Sequence, residues 1–187
     1  DYYPTDYPPE FTKGIGKEGF EGILKFLNTG GKIISWGSSI DLFTGQLSIK
    51  LSDTEQDEFQ LPFTNSAETI AKEGLFCPGS LLAINLSPGN PLSQGMENKT
   101  AGFSLGNVVL NTSQPIFDSD RRVFGSFPET NILLSGYIEK EGKLANRPAL
   151  VWVKKGKGQL IMFAFDPIFR ASVPVTYKLL FNALLME

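Results

Sequence analysis

Apolar positions are densest at the end of the chain, from Arg147 to Leu185. RPALVWV is followed by a Lys154-Lys155-Gly156-Lys157-Gly158 turn and then by QLIMFAFDP. Two apolar runs around a short Gly-containing turn predict a β-hairpin. Both runs are too apolar for either face to meet water, so they read as buried central strands. Beyond Pro174, Tyr177, Leu180, Phe181, Leu184 and Leu185 recur at helical spacing and predict a terminal helix packed back on the sheet.

The same pattern marks the front of the chain. Phe20, Ile23, Leu24 and Leu27 fall at i, i+3, i+4 and i+7, predicting a helix over Lys17–Asn28 that ends at Gly30-Gly31. Lys32–Trp36 (KIISW) follows as a short buried strand, then Gly37-Ser38-Ser39, and Ile40–Phe43 opens another helix. Helix, glycine break, buried strand and Gly-Ser turn together predict a parallel-sheet unit. Residues 45–75 read as a polar insertion or long loop carrying Asp53, Glu55, Asp57 and Glu58, without the spaced glycine of a calcium loop. Leu81–Leu86 is a strand, and residues 103–110, 122–127 and 132–138 are shorter strand-like runs before the Glu139–Lys143 turn. Residues 1–16, with three prolines and three tyrosines, form an extended segment ahead of a single α/β domain at 17–187.

Composition narrows the chemistry. At 187 residues, 41% hydrophobic and 20% charged, the chain has the make-up of one globular domain with a sizeable core. A net charge of -3 leaves no basic face for nucleic acid, and Lys154, Lys155 and Lys157 sit in a solvated turn. No apolar run approaches the roughly 20 residues of a membrane span. Histidine is absent, which removes the commonest general base, the commonest zinc ligand and any Ser-His or Cys-His pair. The one cysteine, Cys77, has no internal disulfide partner. The sequence opens at Asp1 without a signal pattern, as expected of a processed product or an excised piece.

Several stretches, in this order, resemble one family. They are PPEFTKGIGKEG (Pro8–Gly19), LKFLNTGGKIISWGSSIDL (Leu24–Leu42), FCPGSLLAINL (Phe76–Leu86), NPLSQGM (Asn90–Met96), NILLSGYI (Asn131–Ile138) and the run from Arg147 to Leu185. Together they are similar to the class I glutamine-amidotransferase-like domain at the C-terminus of bacterial M14-type zinc carboxypeptidases. The resemblance implies a flavodoxin-like three-layer sandwich with an antiparallel C-terminal hairpin. It also implies a peptidase domain upstream, and secretion or a periplasmic location. Earlier strands are expected ahead of Pro8, so the sheet is expected to be completed by the parent peptidase domain or by a second chain.

Departures from the family bear on chemistry. Zinc peptidase chemistry needs His-x-x-Glu and a further His, so any zinc belongs to the parent domain and no cofactor is expected here. Amidotransferase chemistry needs a Cys at the turn after a strand and a later His. This chain offers Ser38, and its late-strand turn, Asp166 to Arg170, has no His.

Ser38 stands where an exposed nucleophile would, yet lacks a base, and Gly37-Ser38-Ser39 also suits a helix cap. Cys77, before a strand, reads as a small buried hydrophobe before it reads as a nucleophile. Asp166 and Arg170 follow a buried strand, where α/β folds place ligands; with Ser38 and Ser39 they are the pocket candidates, or they simply pair with each other. Trp36 and Trp152 are core residues, and Arg121-Arg122 beside Asp118 and Asp120 is a local ion-pair cluster. The reading is a non-catalytic accessory domain. The alternatives are a serine hydrolase using Ser38 with a base such as Lys, or a carbohydrate- or peptide-binding module using the N-terminal segment or residues 45–75.

Overall fold

In chain order the elements are α1 (Gly16–Asn28), β1 (Lys32–Trp36), β2 (Phe63–Asn65), α2 (Ala67–Lys72), β3 (Ser80–Leu86), β4 (Lys99–Ser104), β5 (Leu110–Thr112), β6 (Ser119–Ser126), β7 (Leu133–Ser135), β8 (Pro148–Lys155), β9 (Gly158–Phe163) and α3 (Thr176–Leu185). They come from a computed structural model that describes residues 8, 14–43, 61–115 and 119–186.

Helix α1 forms on the predicted stripe and buries Phe20, Leu24 and Leu27. Gly30, at φ +109°, reverses the chain. Its N–H bonds Leu27 O at 3.0 Å while Gly31 N–H bonds Phe26 O at 2.8 Å, the two bonds of a Schellman motif. β1 starts at once, and the following turn, Gly37–Leu42, is 3₁₀ rather than the opening of an α-helix.

The main sheet runs β1-β9-β8-β6-β3-β4, with β7 also on β3. β1 and β9 are parallel, while every other pairing is antiparallel. The parallel unit predicted around β1 is therefore one pair inside a mixed sheet, and β8–β9 is the predicted hairpin. Past β9, Asp166 N–H donates to Phe103 O of β4 at 2.7 Å, so the chain bends the two sides of the sheet toward each other. β2 and β5 form a separate antiparallel pair. The core lies on and around β3, β8 and β9, where Leu82, Ile84, Leu150, Val151, Leu160 and Phe163 are fully enclosed.

Several expectations change. Residues 61–75 are not polar insertion: they hold β2 and α2, and bury Phe63, Ile70 and Leu75. The acids at 53–58 lie outside the described residues, as does Asp118. Arg122 pairs with Asp120 at 3.7 Å and lies over Trp152, while Arg121 Nε bonds Ser113 O. Trp36 and Trp152 are half-buried, packed against the core rather than within it.

The terminal helix is turned from its predicted orientation. Thr176, Leu179 and Ala183 are buried, whereas Phe181 and Leu184 are each 58% exposed. Its polar groups set that rotation. Thr176 Oγ1 donates to Pro167 O, Asn182 Nδ2 to Leu92 O and Gln94 O, and Lys178 Nζ to Gly95 O.

One buried amide joins four segments. Asn65 Oδ1 accepts from Ala67 N–H and Val109 N–H at 3.1 and 2.9 Å, and its Nδ2 donates to Asp41 Oδ1 and Asn107 O. β2, the start of α2, the turn after β1 and the loop before β5 thereby meet on one side chain. Truncating it strands buried donors and acceptors. Asn65→Ala is expected to lose about 2–4 kcal/mol in urea unfolding; a loss within about 0.5 kcal/mol, the usual range for a surface change, would show that the four segments hold without it.

Candidate functional site

Open α/β sheets bind ligands beyond the carboxyl ends of parallel strands. Here that place lies beyond β1 and β9, whose last paired residues are Trp36 and Phe163. Gly37, at φ +59°, makes the sharp exit from β1 in a conformation a side chain would strain. Ser38 then projects into solvent. Ser39 does not join it: its Oγ lies 2.8 Å from Ser35 Oγ and donates to Trp36 O at 2.7 Å. The two adjacent hydroxyls thus serve different surroundings.

On the β9 side, Asp166 is half-buried and its Oδ1 accepts from Ile168 N–H at 2.9 Å, closing a short turn. Arg170 does not pair with it. The Arg170 guanidinium sits 5.4 Å from the Phe169 ring centre, and Phe169 stacks on Phe103 with ring centres 3.7 Å apart. Arg170 and Ala171 are both left-handed, at φ +44° and +53°. Consecutive non-glycine residues in that region cost about 1–2 kcal/mol each, so the aromatic stack and the Asp166 turn must hold them. Between the strand ends lies a cleft of about 40 Å³ lined by Trp36, Gly37, Leu105, Asn107, Ala164 and Asp166. It has room for a few waters. Of the four pocket candidates only Asp166 lines this cleft; Ser38, Ser39 and Arg170 do not.

Cys77 is buried, and its Sγ donates to Ser104 O at 3.4 Å. Burial pushes its thiol above the ordinary value, the opposite of what a nucleophile requires. Among the described residues, no group of three His, Cys, Asp or Glu stands close enough to hold a metal ion, and no helix is long and apolar enough to cross a membrane.

The larger cavities lie elsewhere. A polar hollow of about 460 Å³ surrounds Gly89–Asn98, where Asn90 and Ser93 satisfy each other. An apolar groove of about 420 Å³ separates α1 from β1, walled by Gly19, Gly22, Ile23 and Phe26 on the helix and by the strand edge from Ile33 to Ser35. Sequence reasoning missed this groove. Its signal was the pair Gly19 and Gly22, three residues apart on a helix face where side chains would otherwise stand.

No family model matches the chain, and no curated protein matches it. Solved structures do. A β-galactosidase from Bacillus circulans sp. alkalophilus aligns with 90% of this chain and 20% of its own, at a TM-score of 0.50 and 13% identity. A β-galactosidase from Rahnella sp. R3 aligns over the same shares at 0.48 and 12%. A ThuA-like protein from Bacteroides uniformis ATCC 8492 aligns with 90% of this chain and 62% of its own, at 0.44 and 10%. The chain therefore spans a fifth of the length of the β-galactosidases it matches. At such identity the likeness is one of fold alone, a mixed α/β domain.

The raised thiol value sets a pH expectation. A group whose value is higher in the folded than in the unfolded chain supports the fold below the unfolded value, and that support fades as pH rises toward the folded one. Stability should therefore decline above the ordinary thiol value of 9.0, and Cys77→Ala should remove that part of the decline. Native iodoacetamide labelling at pH 8 should be slower than in urea by at least about tenfold; equal rates would mean an open, reactive thiol.

Proposed function

We propose that this chain is a non-catalytic accessory domain of a larger protein, with amidotransferase-like layering and an M14-type zinc carboxypeptidase-like parent. One observation carries the reading. Ser38 occupies the exposed turn beyond a parallel strand, the position of a nucleophile, in a chain that has no histidine at all. Its neighbouring hydroxyl is committed to Ser35 and Trp36 O. A general base typically contributes about 10²- to 10⁴-fold to such chemistry.

Two further points support the reading. The cleft beside Ser38 admits waters rather than an organic substrate. The fold likeness to a fifth of a β-galactosidase chain puts a domain of this kind within a longer polypeptide. The parent and its secreted or periplasmic location rest on the resemblance of the ordered stretches from Pro8 to Leu185. Zinc would then be held by the parent's own domain, and the role of this one would be to cover or orient it, its sheet completed by that domain or by a second chain.

The test uses the purified 187-residue chain. Fluorophosphonate labelling, glutamine hydrolysis and release of C-terminal residues from peptides in the presence of zinc should all be indistinguishable from buffer. Labelling or turnover that Ser38→Ala abolishes, with an unchanged circular dichroism spectrum, would overturn the reading in favour of a serine hydrolase.

A further inference from the structure

We infer that the outer edge of β1 is a docking site for an apolar β-strand from a partner domain, which adds beside β1 and fills the groove against α1. The inference rests on the accessory-domain reading and names where and how such a partner is held.

Hydrogen-bond direction comes first. Gln159 N–H donates to Gly31 O at 3.0 Å, so Gly31, and by alternation Ile33 and Ser35, turn their peptide groups toward β9. Lys32, Ile34 and Trp36 turn theirs outward, where no described strand pairs with them. β1 contains no proline, bulge or inward charge of the kind that protects sheet edges.

Surfaces beside this edge are apolar on both faces. On one face lies the groove, and Phe26 of α1 stands 54% exposed at its rim. On the other, Lys32 Nζ donates to Leu184 O at 3.2 Å and to Met186 O, fastening the end of α3 beside β1. The exposed stripe of α3, Phe181, Leu184 and Leu185, therefore flanks the same edge. A strand covered by both helices needs apolar residues on both faces, the pattern of buried parallel sheets.

A second copy of β1 does not supply that. Two-fold pairing about Ile34 would set Ile33 against Ser35, giving the α1-side groove one isoleucine and one serine from each copy. Most of about 420 Å³ would stay empty. The groove calls for a strand with larger apolar side chains.

Amide exchange on the isolated chain, followed by NMR, tests the proposal. Ile34 and Trp36 amides should exchange at least about 100-fold faster than those of Ile33 and Ser35. A soluble probe strand of alternating valines and isoleucines, capped by lysine pairs, should slow Ile34 exchange about tenfold or more. Gly22→Lys places a side chain at the groove, where an added Cβ meets nothing within 4 Å. Ile34→Pro removes an outward N–H without touching the β9 bonds. Either variant should abolish the slowing while keeping a near-native urea midpoint.

Protected Ile34 and Trp36 amides in the isolated chain would overturn the proposal, whether a dimeric light-scattering mass traced the cover to a second copy or a monomeric one to another part of this chain. A probe without effect would overturn it too. Neither result would touch the accessory reading, which falls only to catalytic turnover.

Discussion

The contact on which the arrangement depends is the approach of α1 to the start of β9. Leu27 O lies where a Cβ on Gly158 would be, only 1.9 Å from its ideal position. No residue but glycine permits that approach, and the hairpin turn that introduces β9 must therefore end in one. Because β1 follows α1 after the Gly30-Gly31 reversal, the same contact fixes where β1 meets β9. Parallel pairing, groove and the Ser38 turn all follow from how closely a helix carbonyl rests on one glycine.

Legibility in the sequence tracked how far local pattern and tertiary burial agree. Helix α1 and β3 were readable to within a residue, because an apolar stripe or alternation coincides with pairing. The run from 103 to 110 was not. β4 ends at Ser104, and Val108 and Val109 are apolar because they are buried beneath the core without being paired as a strand. Val109 N–H bonds the Asn65 side chain instead, a long-range substitution that no local pattern announces. Helix α3 failed for another reason. TYKLLFNALL is apolar nearly all round, so its rotation was decided by polar anchors whose partners, Leu92, Gln94, Gly95 and Pro167, lie elsewhere in the sequence.

The candidate site shows the same division. That Ser38 would be exposed beyond a strand followed from Gly37 and the buried run before it. That Ser39 would turn away, and that Arg170 would cover an aromatic ring rather than meet Asp166, depended on Ser35 and Phe103. Residue types named the ends of the sheet correctly. Their mutual orientation came from the packing around them.

The crossing of β4 by the segment after β9 has a consequence for assembly. Asp166 bonds Phe103 on the side of β4 away from β3, and Phe169 lies flat on the same residue. A newcomer at that end would have to displace backbone and ring together. The sheet thus has unequal ends, one crossed by its own chain and one facing outward. An element with a single growing end has a valency of one: it completes a neighbour and stops. Open-ended stacking into fibres requires two such ends on every unit, and this topology supplies one.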